Sequence, residues 1–412
     1  MRANNPEVVV VGAGMAGASI ATVLARAGIQ VLLLERQRAY RDRVRGEFLA
    51  PWGILEARAL GLEQVIRSTK AVDMRYSVLF DELAGPAAGE QPRTDWSAIF
   101  PGVQGPLGAS HPRTCQAVAE EAVRSGTELV RGVADVQVRT GTPPSITFGN
   151  GAKTTVRPRL ILGADGRAST VRKRSGIALH KAPATHAIAG LLVEGASRWP
   201  ADEYTIGVEG DLQFYVFPQG EDRLRLYTCQ ANEQAARWAG RAGPRRFAAA
   251  FAGLRSIPPS RSLGDIRPAG PCGTFSAEQT WCDEPYADGV VLLGDAGGYD
   301  DPVDGQGLSL ALRDVRQLSE LLLASRHWAV QALRPYGEQR AERLRRMRRV
   351  STTFAALMTT FTDAGRARRD RYYAATRAGQ QDLRTALGAI SLGPDRMPSE
   401  AFTDQLHESL LA

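Results

Sequence analysis

Six residues near the start of the chain have the spacing of a loop that binds the phosphates of a dinucleotide. Three glycines recur in the run Gly12-Ala13-Gly14-Met15-Ala16-Gly17. In such a loop the first glycine permits a tight turn, the second lets the backbone approach a pyrophosphate, and the third lets a helix pack closely on a strand. Glu35 follows eighteen residues after Gly17, where a carboxylate can accept hydrogen bonds from a ribose. The pattern predicts dinucleotide binding, and a glycine-rich turn in an unrelated α/β fold is the alternative.

The elements around this loop form the supporting unit that such chemistry needs. Val8–Val11 is typical of a buried parallel strand, residues 16–27 of a helix that ends at Gly28, and residues 29–34 of a second strand. Two further apolar runs, residues 160–162 and 290–293, end in Gly-Ala-Asp and Gly-Asp. We expect both to be strands that deliver their loops to the same site.

A second sequence pattern interrupts the first one and predicts another domain. Residues 187–193 and 213–228 alternate apolar with polar side chains, which favours an antiparallel sheet. The predicted architecture is α/β: a Rossmann-type domain, an inserted antiparallel-sheet substrate domain and a helical C-terminal tail. We assign residues 1–71, 101–175 and 273–340 to the first, 72–100 and 176–272 to the second, and 341–412 to the third. The loop 81–108, rich in Gly and Pro, is expected to be a mobile surface insertion or a border of the substrate entrance.

The composition narrows the function classes. The chain has 412 residues, 43% of them hydrophobic, and a net charge of +7. Its four cysteines form no CxxC pair, so neither a zinc site nor a disulfide framework is expected. No secretory signal and no apolar run long enough to span a membrane are evident, which favours a cytoplasmic protein. Arginines recur in 340–349 and 366–371, where we expect a solvated helical face; without a nucleic-acid motif, a nucleic-acid partner is not expected.

Two later motifs indicate which dinucleotide the chain binds. The first is Gly163-Ala164-Asp165-Gly166 with Ser169, Val171 and Arg172. The second is Gly294-Asp295-Ala296 with Pro302, Gly305-Gln306-Gly307, Ala311, Asp314 and Leu318. Together with the first glycine loop, in this order over about 320 residues, they resemble the flavoprotein aromatic hydroxylases of the para-hydroxybenzoate hydroxylase type. The resemblance implies FAD as the cofactor and NAD(P)H as the reductant, without a second domain for the nicotinamide.

The resemblance also implies roles for individual residues. Asp295 would bond the ribitol or pyrophosphate of FAD, and residues 305–307 would present backbone N–H groups and a helix N-terminus to the flavin. Asp165 would lie near both FAD and the path of the nicotinamide. A guanidinium suits the flavin or its phosphates, with a surface salt bridge as the alternative for Arg45 and Arg113, and Glu47 could be a buried partner of either. The full predicted cofactor set is Gly12, Gly14, Gly17, Glu35, Arg36, Arg45, Arg113, Asp165, Asp295, Gly305, Gln306 and Gly307.

The sequence departs from the family pattern after Asp295. Many hydroxylases continue with Ala-Ala-His, whereas this chain has Ala296-Gly297-Gly298-Tyr299, and Ser309 stands where many have Asn. The loop with Tyr299, Asp300, Pro302 and two further aspartates is our candidate for the catalytic residues, including a general base. A solvated acidic loop is the alternative, and His111 is more often structural than catalytic. Phe214, Tyr215 and Phe217 are expected to line an apolar substrate pocket or to be sheet core in part.

These inferences lead to an FAD-dependent monooxygenase that uses NAD(P)H and molecular oxygen on an aromatic or polycyclic small molecule. A flavin halogenase shares the scaffold but should show a Trp-rich GWxWxIP element and a reactive lysine; residues 214–218 and Lys70 are poor substitutes. A polyprenyl-type reductase or an oxidase is a second alternative, and a non-catalytic prenyl-escort protein is a third.

Overall fold

The structure is a computed structural model that describes residues 6–83, 93–149, 152–325, 327–380 and 385–412. The middle of the predicted loop 81–108 lies outside the described residues. Within the described ranges every helix is too short or too polar to cross a membrane. No group of three or more histidine, cysteine or carboxylate side chains in these ranges is arranged to hold a metal ion.

The strands are short except in one region near the middle of the chain. In chain order they are β1 (Val8–Val11), β2 (Val31–Glu35), β3 (Phe48–Leu49), β4 (Val72–Asp73), β5 (Tyr76–Leu79), β6 (Thr94–Asp95), β7 (Leu107–Gly108), β8 (Glu128–Arg131), β9 (Asp135–Arg139), β10 (Ser145–Gly149), β11 (Thr154–Val156), β12 (Leu160–Gly163), β13 (His180–Ala182), β14 (His186–Glu194), β15 (Glu203–Glu209), β16 (Leu212–Pro218), β17 (Arg223–Ala231), β18 (Arg267–Pro268), β19 (Gly273–Ser276), β20 (Gln279–Trp281), β21 (Tyr286–Ala287) and β22 (Val290–Leu292).

The helices lie mainly in the first and last thirds of the chain. They are α1 (Met15–Arg26), α2 (Pro51–Ala59), α3 (Glu63–Arg67), α4 (His111–Arg124), α5 (Thr170–Arg174), α6 (Gly243–Ala252), α7 (Gly307–Ala324), α8 (Arg334–Met358), α9 (Asp363–Arg377), α10 (Ala389–Leu392) and α11 (Asp404–Leu411). Two short 3-10 turns matter for the site, Gly294–Gly297 and Pro302–Asp304.

The first sheet has six strands in the order β21-β22-β12-β1-β2-β8, and all its pairings except that of β21 are parallel. Its central strand β1 is four valines, each at most 5% exposed. Strands buried on both faces are continuously apolar because helices cover each side. Helices α1, α4 and α7 pack on one face, and the antiparallel sheet β9–β11 shares the core of the other. The predicted Rossmann-type α/β fold is confirmed.

The second large sheet has eight strands, with β14, β17, β16 and β15 at its centre. Strand β5, from residues 76–79, joins its edge by pairing in parallel with β15. Side chains alternate across this sheet because the strand period is two residues. One face packs on α6 through Phe247 and Phe251, and the other face contributes to a large cavity. The domain boundaries proposed above stay a prediction.

The C-terminal helices pack back on the rest of the molecule. Helix α8 and residues 389–402 form a core cluster with Trp52 and Leu310. The expectation of a solvated arginine face on α8 is wrong for two of its members: Arg340 is 2% exposed and Arg343 is 1% exposed. Both bond the buried carboxylate of Asp314 on α7, which explains how two guanidinium groups are tolerated in the interior.

Candidate active site

A cavity of about 470 Å³ lies where the two large sheets meet. Its wall on one side comes from the carboxyl ends of β1, β2 and β22. On the other side it is the face of the eight-stranded sheet that carries Tyr215, Phe217 and Tyr227. Ligands of open α/β sheets bind outside the carboxyl ends of the strands. The cavity therefore combines a nucleotide-binding position with an aromatic compartment.

The first glycine loop has the geometry that the sequence predicts for it. Gly12 has φ +98°, and a Cβ there would lie 2.4 Å from the carbonyl oxygen of Ala164. A Cβ on Gly17 would lie 1.8 Å from the Gly12 carbonyl oxygen, so α1 and β1 approach too closely for any side chain. A Cβ on Gly14 would meet nothing within 4 Å. The space in front of Gly14 is open for the phosphates of a ligand.

Two helices begin at the cavity with their first N–H groups uncapped by side chains. They are α1, whose N-cap is Gly14, and α7, whose N-cap is Gln306. Free N–H groups and the helix dipole favour negative charge at such positions. Gly305 has φ +72°, and a Cβ on Gly307 would meet nothing within 4 Å. Both helix starts are therefore accessible, as an extended anionic cofactor requires.

Glu35 lies at the end of β2 and faces the same cavity. Its Oε2 accepts from the Ala13 N–H at 2.8 Å, and its Oε1 accepts from the Gln37 N–H at 2.7 Å. Each carboxylate oxygen has capacity for a second hydrogen bond. Glu35 thus fixes the glycine loop and can still accept from a ligand hydroxyl. The exposed Arg36 also lines the cavity.

A group of charged side chains surrounds the middle of the cavity. Asp295 accepts from Arg167 Nε at 3.4 Å, and Arg45 lies close enough to Arg167 that burial and this second guanidinium lower the pKa of Arg45. Two arginines with one carboxylate leave positive charge that an anion would neutralise. Asp165 lines the cavity, but Ser169 Oγ and the N–H groups of residues 170 and 171 donate to its carboxylate.

Three predicted cofactor residues do not line the cavity. Arg113 is at the surface, where its side chain is 46% exposed and 3.5 Å from Glu221. Gln306 is buried; its Oε1 accepts from Trp52 Nε1, and its Nε2 donates to the Asp304 carbonyl. Gly17 acts through packing, as described above. Arg113 therefore lies in a surface salt bridge, which was the alternative interpretation of this residue. Helix α4 starts at His111, and the side chain of Arg113 points outward from it.

The turn that carries Asp295 is held from behind by a residue that the motifs did not predict. Arg340 donates to Asp314 Oδ2 at 2.8 Å and to the carbonyl oxygens of Gly294, Gly297 and Gly298. Asp314 Oδ2 also accepts from the Gly294 N–H at 2.9 Å. An interior arginine with a full set of acceptors fixes three carbonyls at once. Nothing local in the sequence distinguishes Arg340 from its exposed neighbours.

The acidic loop after this turn is buried, so its interpretation as a solvated loop is wrong. Asp300, Asp301 and Asp304 are at most 7% exposed. Burial raises the pKa of Asp300 to about 6 and raises the pKa of Asp301 and Asp304 well above the ordinary range. Asp300 Oδ2 accepts from Ser351 Oγ, and its Oδ1 accepts from the Asp301 N–H. Carboxyls held in so little water favour the protonated form.

Tyr299, the first of the catalytic candidates, makes contacts through both its hydroxyl group and its ring. Its hydroxyl donates to Glu278 Oε2 at 3.0 Å, and the guanidinium of Arg167 lies 4.1 Å from its ring centre. Burial is the main cause that raises its pKa to about 12. Pro302 opens the turn Pro302–Asp304 and lines the cavity. These residues border the cavity, and their catalytic roles stay predictions.

The aromatic compartment contains two of the three predicted substrate residues. Tyr215 and Phe217 line it, with ring centres 5.6 Å apart, whereas Phe214 points to the opposite face and packs on Phe251. The prediction for Phe214 as a lining residue is therefore wrong, because alternate residues of β16 face opposite sides. The sequence reasoning missed further lining residues from distant segments, which are Phe48, Trp96, Tyr204, Ile206, Phe354, Ile390 and Ser391.

The wall of this compartment contains a buried polar cluster, of which the sequence predicted only Glu47 as a buried partner. The Tyr227 hydroxyl donates to Glu47 Oε2, and both residues line the cavity. Arg225 Nη2 lies 3.2 Å from Glu47 Oε1 and 2.5 Å from Asp42 Oδ2. Burial raises the pKa of Glu47 even though Arg225 acts to lower it. The partner of Glu47 is thus Arg225 rather than Arg45 or Arg113.

His111 completes the lining at the start of α4. Burial is the main cause that lowers its pKa to about 4, and Arg45 and Arg43 add to the effect. A Cβ on Gly46 would lie 2.5 Å from His111 Nδ1. A neutral imidazole packed this tightly against the backbone supports the interpretation of His111 as a structural residue.

Comparisons with known proteins agree with this arrangement. The chain is 28% identical over 334 residues to the rifampicin monooxygenase of Rhodococcus hoagii, an alignment that covers 77% of this chain but only 64% of that protein. Its fold matches the p-nitrophenol 4-monooxygenase of Pseudomonas putida with a TM-score of 0.80 at 20% identity, covering 95% and 99% of the two chains. It also matches the flavin-dependent halogenase CmlS with a TM-score of 0.76 at 17% identity, covering 99% and 77%. The family described as "FAD binding domain" matches residues 5–351. The prediction of FAD as the cofactor is confirmed, and the chain belongs to the FAD binding domain family.

Proposed function

We propose that this protein is an FAD-dependent monooxygenase that uses NAD(P)H and oxygen to hydroxylate or otherwise oxygenate an aromatic or polycyclic small molecule. The observation that carries the proposal is the continuity of the cavity. The glycine loop and the start of α7 line the same space as Tyr215 and Phe217. The similarity to a rifampicin monooxygenase supports the reaction type.

The residues of the cavity fit FAD in their chemistry. Gly12, Gly14 and the start of α1 would take the pyrophosphate, and Glu35 would accept from the ribose. Asp295 and Arg45 would bond the middle of the cofactor, and the uncapped N–H groups from Gly307 onward would stabilise negative charge on the flavin. When bound and reduced, FAD supplies the electrons that activate oxygen. The residues of this chain would position the substrate, transfer protons and exclude water from the site.

The aromatic compartment supplies the positioning. Phe48 and Phe217 lie 5.3 Å apart, and Tyr204 lies within 6.0 Å of both, so three rings form one continuous wall. A planar aromatic substrate gains offset-stacked or edge contacts on such a wall. Phe354 and Ile390 reach the same space from the C-terminal helices. These contacts would displace water from the reacting carbon and orient the ring toward the cofactor.

A halogenase is the first alternative, because CmlS shares the fold. No lysine occurs among the described residues that line the cavity. Lys70 is instead at the surface, 70% exposed and 2.5 Å from Glu221. Lys70, which the sequence suggested as a possible counterpart of a halogenase lysine, therefore lies outside the cavity lining. A reductase or oxidase of the same fold is the second alternative, and it would reduce FAD or consume oxygen without placing oxygen in the product.

The first test is the behaviour of the bound flavin. The purified protein is expected to be yellow, and anaerobic addition of NADPH or NADH is expected to bleach it faster in the presence of one phenol from a panel. Under ¹⁸O-labelled dioxygen, the same phenol should gain one atom of ¹⁸O, measured by mass spectrometry. Reduction without label in any product would favour the reductase or oxidase. A yellow protein that is inert to both nicotinamides and becomes active with a separate flavin reductase and halide would favour the halogenase.

A further inference from the structure

We propose that the Asp304 side chain is a hydrogen-bond donor in the substrate compartment, and that the substrate is an aromatic compound that carries an uncharged carbonyl group. The inference rests on the proposed monooxygenase function, which it deepens by naming a substrate class and a residue that selects it. It starts from a buried carboxyl oxygen that has no hydrogen-bond partner among the described residues.

The backbone around Asp304 is fixed by neighbouring side chains. Asp304 ends the short turn Pro302–Asp304. The carbonyl of Val303 accepts from the Tyr215 hydroxyl, and the carbonyl of Asp304 accepts from Gln306 Nε2 at 2.6 Å. A side chain on a turn that is held in this way keeps its position relative to the cavity, as selective recognition of a ligand requires.

The carboxyl group of Asp304 has one bonded oxygen and one free oxygen. Oδ1 accepts from the Gln306 N–H at 3.3 Å, whereas Oδ2 is buried without a partner in the described part of the chain. The residue is 6% exposed and lines the cavity. Burial is the main cause that raises the pKa of Tyr215, and a negative charge on Asp304 would add to the shift. The carboxyl group therefore lies close to the aromatic wall that contains Tyr215.

The surroundings of Asp304 favour the neutral acid. Burial raises its pKa well above the ordinary range, and the neighbouring carboxyls of Asp300 and Asp301 add to the shift. No described arginine or lysine forms a salt bridge with Asp304. A neutral carboxyl group has one O–H donor, and this hydrogen belongs on Oδ2 because Oδ1 accepts from Gln306. A buried donor without an acceptor is unfavourable, so an acceptor atom of a bound substrate would complete the site.

The acceptor that fits this donor is an uncharged oxygen on a planar molecule. The rings of Phe48, Tyr204 and Phe217 form the adjoining wall, which suits an aromatic ring. A carbonyl oxygen accepts hydrogen bonds near the plane of its own substituents, so one molecule can pack on the wall and accept at its edge. An anionic group would instead be buried beside the carboxyls of Asp300 and Asp301, which is costly for an unpaired charge. The site therefore favours an aromatic ketone over a carboxylate or a phenolate.

Neighbouring polar groups at this end of the cavity are already bonded within the protein. The Tyr215 hydroxyl donates to a backbone carbonyl. Both side-chain oxygens of Asp300 accept hydrogen bonds, from Ser351 and from the Asp301 N–H. Asp304 differs from both residues because one of its side-chain oxygens has no partner among the described residues.

The first test measures how well the protein distinguishes a carbonyl oxygen from a CH₂ group of the same shape. Acetophenone and α-methylstyrene differ only in this way, and their dissociation constants are measured from the flavin absorbance of the FAD-loaded, oxidised protein. The ratio of the two constants is compared between variants, so the difference in hydration of the two compounds cancels. Asp304→Leu should lower the preference for acetophenone about fivefold or more. Asp304→Asn should keep the preference within about twofold, because an amide N–H₂ group also donates.

The second test records the C=O stretch of bound acetophenone, labelled with ¹³C at the carbonyl, by infrared difference spectroscopy. A hydrogen bond lowers this frequency, so the wild type and Asp304→Asn should both show a lower value than Asp304→Leu. Asp370→Leu makes the same change as Asp304→Leu at an exposed position on α9. This control should match the wild type in both tests.

Three results would overturn the assignment: an equal preference in the wild type and Asp304→Leu, tighter wild-type binding of benzoate than of acetophenone, or no binding of acetophenone. If Asp304→Leu does not retain FAD, the wild type decides alone, because a bound C=O frequency equal to that in hexane would mean that no donor reaches the oxygen. Neither test involves dioxygen. If these negative results appear while ¹⁸O still enters a product, the monooxygenase stands and only the role of Asp304 falls. If the carbonyl is bonded as expected but no compound is oxygenated, the proposed function has failed.

Discussion

The buried Asp300 should make the protein less stable as the pH rises, and Asp300→Asn should remove that effect. Burial raises the pKa of this carboxyl to about 6, against an ordinary value of about 3.9. A group with a raised pKa stabilises the fold fully below the unfolded pKa and loses this contribution as the pH rises through the folded pKa. A difference of about 2 in pKa is worth about 3 kcal/mol. Most of that free energy of unfolding, about 2 to 3 kcal/mol, should be lost between pH 4 and pH 7.5.

The assay is urea unfolding at a fixed excess of FAD, followed by tryptophan fluorescence at pH 4, 5, 6 and 7.5. The free energy of unfolding of Asp300→Asn minus that of the wild type should rise by about 2 to 3 kcal/mol across this range. Asp370→Asn makes the same chemical change at an exposed position on α9 and should show no such rise. A difference for Asp300→Asn that stays level with pH would mean that the carboxyl is ionised in the fold, and the reasoning from burial would be refuted.

Three further changes test the positions of other residues. Gly17→Ala should abolish the yellow colour of the purified protein, because the new Cβ would lie 1.8 Å from the Gly12 carbonyl oxygen; Gly253→Ala, with its nearest contact at 3.4 Å, should keep it. Arg340→Met should lower the free energy of unfolding by about 3 kcal/mol or more, because it strips a buried carboxylate and three carbonyls of a donor, whereas the exposed Arg345→Met should cost at most about 1 kcal/mol. Phe217→Ala and Phe214→Ala should both cost about 3 to 5 kcal/mol in stability, but at 20 °C only Phe217→Ala should raise the dissociation constant of p-nitrophenol, measured by its absorbance; equal constants would contradict the assigned faces of β16.

The residues that the sequence predicts well are those whose roles depend on their neighbours in the chain. Gly12, Gly17 and Glu35 belong to one strand–helix–strand unit, and Glu35 bonds a backbone N–H only 22 positions away. The requirement for glycine is set by the backbone of that unit and by one adjacent strand. A local pattern therefore carries enough information to predict the cofactor loop and the class of the fold.

A local sequence pattern does not predict which face of β16 lines the cavity. Its burial is complete from Leu212 to Pro218, because α6 covers one face and the cavity wall lies on the other. Alternation then separates Phe214 from Tyr215 and Phe217 but does not say which set faces the ligand. That choice depends on α6 and on the C-terminal helices, which approach from elsewhere in the chain.

Long-range polar partners explain the remaining errors. The Tyr227 hydroxyl and Glu47 are 180 positions apart, and Arg340 reaches carbonyls more than 40 positions before it. In the sequence Arg340 is one of several arginines on a helix, and Glu47 is one carboxylate among basic residues. Each becomes distinctive only when the fold removes water from it, because an interior charge must find a partner or change its pKa. Buried charge is thus created by tertiary packing, through contacts that no local motif records.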